Sequence, residues 1–398
     1  MIYKTVGEEL KWFFIMFGNE FRQGKQEAFE TLMLLAVAHC FKCYNPKELA
    51  DFLGIPYQRL YAELQTWSLY YLREMLVRFL VHQAEEELKA VSSKSAATKS
   101  RAGITLSVDN SVIDRLGKLL RCTWSWYSGR WKKVVTGQDL LGIVLTINGK
   151  VFPLDLWFCS KQGRDHTDKP SLLLSMLTRL KKEFADIDVT LTDIPMTLDS
   201  WFVSEDMKQH LRKLGFTKII IAGKGNYVFT IDGEKKPASV WKKTLPLKES
   251  LWGINVAACR MKAVSPTFGK VVVFFYRKST TRNYYLMDFS PTPLRGAEIW
   301  HIWTQHVWLE WFWKMLKTVL NMTSMRLRGV GLYTGLLIKV LAYLLVLRLK
   351  NHRKFSQFSF TQLMRQIQRE GTLQELIQEH FHLPDFFHQG QDGASCLI

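Results

Sequence analysis

The chain lacks a cysteine framework. Its 6 Cys are scattered over 398 residues without paired spacing, which excludes a disulfide-stapled secreted scaffold and fits a reduced compartment. Cys40 and Cys43 form one CxxC beside His39. With no second pair nearby, two core thiols are expected there rather than a zinc site. Cys396 stands third from the end, not where a prenylation box needs it. No leader is expected either, because the apolar residues of Met1 to Phe14 are interrupted by Lys4, Glu8, Glu9 and Lys11. The greasiest run, Leu332 to Leu349, carries Lys339 and Arg348 and is marginal in length for a bilayer. A buried core helix is expected there, in a soluble cytoplasmic chain with no membrane partner.

Acid is scarce too. Lys+Arg number 54 against 36 Asp+Glu, a net charge of +18, with a pI near 9.6. That excess points to polyanionic partners, nucleic acid before anionic membrane. What the chain does have is apolar and aromatic residues, 47% and 13%, so it is globular rather than disordered. Its length predicts two or three domains, each able to bury a core.

Residues 1–95 read as an all-α domain, with a helix-turn-helix-like segment at 46–64. Pro46 suits a first helical turn, Ala50 is small where two helices would cross, and Gly54 permits the tight turn. Leu60 and Leu64 would bury the second helix and leave Gln58, Arg59 and Tyr61 outward, with Gln58 and Arg59 the candidate DNA contacts; an ordinary helical hairpin fits the same residues. Val91 to Gly103 is small, polar and basic, a linker. From 104 the pattern becomes mixed α/β. Leu140–Thr146 and Val151–Phe158 are strand-like runs joined by Asn148-Gly149, a hairpin signal. Pro170–Phe184 is an amphipathic helix, followed by a strand ending at Asp199, a helix over Val203–Leu214 and a strand over Lys218–Ala222. Residues 224–295 are strand-rich again, 296–352 are helical, and 353–398 form a polar helical tail.

Three acids sit where a catalytic carboxylate would be presented. Asp109 closes the run Ile104 to Asp109, Asp199 closes Ile194 to Asp199, and Glu310 lies in Glu298–Leu320, which has no Gly or Pro and reads as one helix. Two strand-borne Asp and one helix-borne Glu form a carboxylate set suited to a pair of divalent ions and phosphodiester chemistry. Their hard oxygens suit Mg²⁺ or Mn²⁺ rather than zinc. At 100° per residue, Trp303, His306, Glu310, Lys314 and Lys317 would share a face, offering an aromatic plate, an imidazole and two cations beside the Glu.

Without 224–295, the element order is ribonuclease H-like, so the fold expected is a ribonuclease H-like core (104–223 and 296–352) carrying a β-rich insertion. Glu310 followed by six residues and Lys317 resembles the second half of the Y-x2-R-x3-E-x6-K signature of DDE transposases from bacterial insertion sequences. Val108-Asp109-Asn110-Ser111-Val112-Ile113-Asp114 and Thr197-Leu198-Asp199-Ser200-Trp201-Phe202 resemble their first two acidic motifs. Trp303 stands at the signature Tyr and His306 at its Arg, which turns a permanent phosphate clamp into a protonation-dependent one. The resemblance implies that Asp109, Asp199 and Glu310 hold two Mg²⁺ or Mn²⁺ ions for DNA strand cleavage and strand transfer. It implies Lys314, Lys317, His306 and Trp303 as DNA contacts, Trp303 or a nearby Trp as a plate for a flipped base, terminal inverted repeats and target DNA as partners, a homodimer in the DNA complex, and a prokaryotic, nucleoid-associated place in the cytoplasm. Two other readings remain open: a transposon-derived DNA-binding protein with weakened chemistry, and a metal nuclease without strand transfer.

Overall fold

The change from helical to strand periodicity near residue 103 marks the main architectural boundary along the chain. A computed structural model describes residues 2–20, 26–65, 68–92, 103–114, 120–162, 166–247, 256–279, 282–324 and 329–381. In chain order the helices before that boundary are α1 (Ile2–Glu20), α2 (Gln26–Cys40), α3 (Pro46–Leu53), α4 (Tyr57–Gln65) and α5 (Leu69–Ser92). Strands β1 (Ile104–Asp114), β2 (Thr123–Ser128), β3 (Lys133–Ile147) and β4 (Lys150–Cys159) follow. Next come α6 (Lys169–Ala185), β5 (Met196–Leu198), α7 (Glu205–Leu214) and β6 (Ile219–Ala222). The strand-rich block holds β7 (Val228–Ile231), β8 (Glu234–Pro237), α8 (Ala238–Thr244), β9 (Ala257–Ser265), β10 (Gly269–Ser279) and β11 (Arg282–Asp288). The chain then runs through α9 (Gly296–Thr304), α10 (Val307–Lys314), α11 (Gly331–Asn351), α12 (Phe360–Glu370) and α13 (Leu373–His380).

The chain forms two compact units. The first joins Met1–Phe79, Ile113–Gln138 and Trp313–Ile398; the second holds Leu80–Val112 and Asp139–Phe312. In the first unit α11 is the hub, and α1, α2, α4 and α12 pack around it. It is the one helix among the described residues apolar and long enough to cross a membrane, and 94% of its apolar window is buried inside the protein. The core-helix expectation for Leu332–Leu349 therefore matches its packing. The α3–α4 turn follows the expected chemistry: Asn45 caps α3, and Gly54 takes the left-handed conformation (φ 67°) that residues with a Cβ resist. Leu49, Ala50, Leu60 and Leu64 are fully buried, and Thr334 of α11 donates to the Leu64 carbonyl at 2.9 Å. The N-terminal helices thus share one core with the C-terminal ones, and do not form the separate domain expected over residues 1–95. A fragment cut at residue 90 leaves behind the helix that covers them. The linker expected at 91–103 lies mostly outside the described residues.

The second unit is built on a mixed sheet, ordered β4-β3-β1-β5-β6-β11-β10-β9-β7-β8. β3 and β4 form an antiparallel hairpin through Asn148 (φ 52°) and Gly149 (φ 81°). Left-handed conformations at both turn residues are what the Asn-Gly pair supplies. β1, β5 and β6 are parallel, and α6 packs on β4. The arrangement is mixed α/β, built on one large mixed sheet. The strand-rich block departs from an inserted module in one respect. β11 pairs antiparallel with β6, so the block extends the central sheet, and α9 closes over β6, β9, β10 and β11 through Ile299 and Ile302. Sequence reading also passed over β2, which pairs with the first six residues of β3 in the first unit.

Candidate functional site

The acids on β1 and β5 meet because of register. Leu106, Ser107 and Val108 lie beside Met196, Thr197 and Leu198 in parallel pairing, and the Asp199 amide donates to the Val108 carbonyl at 3.3 Å. The next positions are Asp109, which lies in the middle of β1 rather than at the strand end expected for it, and Asp199, one residue past the end of β5. Neighbouring parallel strands run about 4.8 Å apart, so Asp109 and Asp199 stand as neighbours. Both residues are half-buried. Asp109 accepts the Asn110 amide at 2.7 Å. Asp199 caps the 3₁₀ turn Ser200–Phe202 by accepting the Trp201 amide at 3.3 Å.

Glu310, on α10, is exposed at its surface. It belongs to the same electrostatic group, because Asp109 feels it. Burial, then Asp199, Glu310 and Asp139, push the Asp109 carboxyl up to about 8, against the lowering effect of its Asn110 hydrogen bond. Three neighbouring acids around one carboxyl, with the cation of the site, Lys169, paired to Asp139, describe a site that favours an added positive charge.

Whether the residues suit divalent ions is a question of donors and placement. All three side chains offer hard oxygens, which fit Mg²⁺ or Mn²⁺, and their mutual repulsion is what a cation relieves. They do not stand ready-closed: among the described residues no three His, Cys, Asp or Glu side chains are grouped to hold one ion. The charge and donor set fit, and side-chain closure around an ion would complete it.

Under the carboxylates runs a buried polar column. On a strand, residues two apart share a face, so Ser107 lies under Asp109 and Thr197 under Asp199. The Thr197 hydroxyl donates to Ser107 Oγ at 2.9 Å and lies 2.9 Å from His306 Nδ1. His306 is buried, and its ring stacks on Trp303 at 4.7 Å and 7°. Burial lowers its pKa to about 4, with Asp199 pulling the other way. The protonation-dependent phosphate contact expected of His306 is therefore corrected: the imidazole is neutral and packed beneath the acids. Trp303 is likewise no open plate, being half-buried and hydrogen-bonded to Tyr276.

The single helix expected over Glu298–Leu320 is also corrected. α9 ends at Thr304, tight bonds from Gln305 to Ile302 and from His306 to Trp303 turn the chain, and α10 starts at Val307. Lys314 ends α10 and is exposed. Lys317 falls in a π-helical turn, Met315–Val319, and is half-buried. The face expected to run from Trp303 to Lys317 is broken by the turn before Val307. After Lys314 the wider π spacing changes it again. In the first unit, Gln58 is exposed as expected, while the Arg59 side chain lies outside the described residues. Of the CxxC thiols, Cys40 is a core group and Cys43 is half-buried; burial raises Cys40 to about 12 and, with Glu48 adding, Cys43 to about 11.

Sequence reading missed a second layer. Asp139 is fully buried on β3. It accepts Asn110 Nδ2 at 2.7 Å and pairs with Lys169 Nζ at 2.5 Å. Lys169, at the start of α6, also lies 4.3 Å over the ring of Trp201, which is 47% exposed. Trp201 is thus the open aromatic nearest in sequence to an acid of the site. Asp168, which caps α6, and the Pro at 170 were the available signals that Lys169 begins a buried helix end.

No protein-family model matches the sequence, and no curated protein matches it. Among solved structures, this chain is similar to a piggyBac transposase synaptic complex with hairpin DNA, determined by cryo-EM. The two share 12% identity at a TM-score of 0.47, over 92% of this chain and 76% of that one.

Proposed function

We propose that the protein is a DDE-type transposase, of the bacterial insertion-sequence kind with a β-rich insertion, that cuts and joins DNA at Asp109, Asp199 and Glu310. One observation carries this reading. Asp109 and Asp199 are register neighbours on parallel strands, and Asp109, pressed by Asp199 and Glu310, is held as a high-pKa acid. A net charge of +18 suits a DNA duplex as the substrate.

Bound Mg²⁺ or Mn²⁺, two ions in the resemblance, would supply Lewis-acid activation of water and phosphate. The chain's own residues do the rest. Asp109 and Asp199 present oxygens from β1 and from the turn after β5, and Glu310 would close on them from α10. The Ser107–Thr197–His306 column fixes the strands beneath them, so the carboxylates keep their spacing. Trp201 offers an exposed ring beside Asp199, backed by Lys169, for an unstacked base. Lys314 offers a cation to a phosphate. Terminal inverted repeats and target DNA as partners, a dimeric complex, and action at the nucleoid belong to the same proposal.

The test is cleavage of a plasmid carrying the genomic flanks of the coding sequence, with Mg²⁺, Mn²⁺ or chelator. Metal-dependent nicks at the flanks, followed by joining to a second DNA, are expected. Metal-independent cleavage, or none, overturns the reading. A second reading, a DNA-binding chain that has lost its chemistry, draws on the exposed Glu310 and the unclosed acids. It predicts flank binding without cleavage in the same assay.

A further inference from the structure

The β2–β3 hairpin of the first unit carries an aromatic and basic tip that no part of the proposed chemistry uses. Its register sets Tyr127 opposite Val134 on one face, and both are 64% exposed. Four residues, Gly129 to Lys132, link the strands, with Lys132 in the left-handed region at φ 51°. Trp131 crowns this turn and is 51% exposed. Its position is fixed despite the exposure: its indole N–H donates to the Asp114 carboxylate, and the Arg130 guanidinium lies 4.7 Å over its ring. Arg130, Lys132 and Lys133 are all exposed. Asp114 is the one acid in residues 113–138, against Arg115, Lys118, Arg121, Arg130, Lys132 and Lys133, and its carboxylate is engaged by Trp131.

We infer that this hairpin tip is a binding site for a nucleic-acid strand with unpaired bases, in which Trp131 and Tyr127 stack on bases and Arg130, Lys132 and Lys133 meet phosphates. A large aromatic ring held in water by a side-chain hydrogen bond loses apolar burial unless a partner covers it. Stacking supplies that cover without sequence preference, and interleaved cations supply the backbone grip. Charge complementarity selects a polyanion over a protein partner. The inference rests on the nucleic-acid reading above, yet it needs neither metal nor the three acids.

The test uses the full chain in chelator, with a fluorescein-labelled oligo-dT of about 20 nucleotides and a mixed-sequence duplex of equal length, followed by anisotropy. Tyr127→Ala with Trp131→Ala should weaken oligo-dT binding about tenfold or more, the scale of losing a stacked base. Duplex binding should stay within about twofold, because phosphates dominate there. Trp131→Phe, which keeps a ring, should retain most of the affinity and serves as the folded control. Arg130→Gln with Lys133→Gln should lower the salt dependence of both. Unchanged oligo-dT binding in the aromatic double variant overturns the inference, as does an equal loss on both probes. A changed sedimentation mass with oligo-dT binding intact overturns it in favour of contact between copies of the chain. Asp109→Asn should bind oligo-dT as the parent does, so failure of the cleavage reading and failure of this one are read separately.

Discussion

In the helical unit, Glu9 is buried between Arg348 and His352, the latter at 2.6 Å, and buried Lys339 donates to the Leu320 carbonyl at 2.7 Å beside the ring of Tyr44. In the sheet unit, Asp109 has Asp199, Glu310 and Asp139 for neighbours, and the nearby cation, Lys169, is spent on Asp139. The first pattern matches each buried charge with a partner, which is what a scaffold requires. The second leaves like charges together, a cost that folding alone gives no reason to keep. Unrelieved repulsion beside β1 and β5 therefore sets the candidate site apart from a structural ion pair of similar burial.

The sharpest way to break that comparison is to neutralise the acids one at a time. Asp109→Asn, Asp199→Asn and Glu310→Gln should each reduce metal-dependent cleavage about a thousandfold or more, as for groups that act as a unit, with DNA binding nearly unchanged. Parental cleavage in any one variant removes that residue from the site. His306→Arg tests the column beneath them. It forces a permanent charge into a slot that now holds a neutral ring, and should cost about 3 kcal/mol of stability in urea unfolding along with activity. Because His306 is held near 4 rather than 6.5, its stabilising contribution is complete above about pH 6.5 and is lost as pH falls through 4. Activity should then show no step near 6.5 from this residue. An Arg variant as stable as the parent would mean the slot opens to water.

On the scaffold side, Glu9→Ala should cost about 3 kcal/mol, because half-buried Arg348 loses its carboxylate, and cleavage per folded molecule should be unchanged. A smaller effect of opposite sign is expected at Asp109. Its pKa is raised to about 8, so the fold keeps a proton that the unfolded chain releases above about pH 4. Stability from this group is therefore full at low pH and declines as pH rises to 8. In chelator above pH 8, Asp109→Asn should melt about 3 °C or more higher than the parent, and adding Mg²⁺ should narrow the gap. A lower melting temperature would mean the acids are not repelling one another. Smallest of all, Lys314→Ala should lower the slope of log affinity against log salt by about 1 with little change in cleavage.

Much of this site was legible because its carriers are local. Asn148-Gly149 announced the hairpin, Pro46 with Gly54 bounded α3 at both ends, and the runs up to Asp109 and Asp199 were legible as strands, although β1 continues past Asp109 to Asp114 because its pairing in the sheet outlasts the apolar run. The helix bearing Glu310 was legible as helix but not as two helices. Nothing in Gln305-His306 breaks a helix by propensity, and the turn forms because His306 packs under Thr197 and Trp303 against Tyr276. The Lys169–Asp139 pair was invisible for the same reason, since the partners lie 30 positions apart and only the placement of α6 against the strands joins them.

The sequence by itself determined the order of elements, the excess of positive charge, the hard-oxygen donors of the three candidate acids and the apolar helix that organises the first core, because each depends on residue type and short-range period. Tertiary structure alone decided which strands became neighbours, and so that Asp109 and Asp199 stand side by side. It also decided that His306 is a neutral core group rather than a cation, and that the N-terminal helices close on α11 instead of folding apart. Those outcomes depend on register, burial and desolvation, which arise only when segments far apart in the chain share one interior.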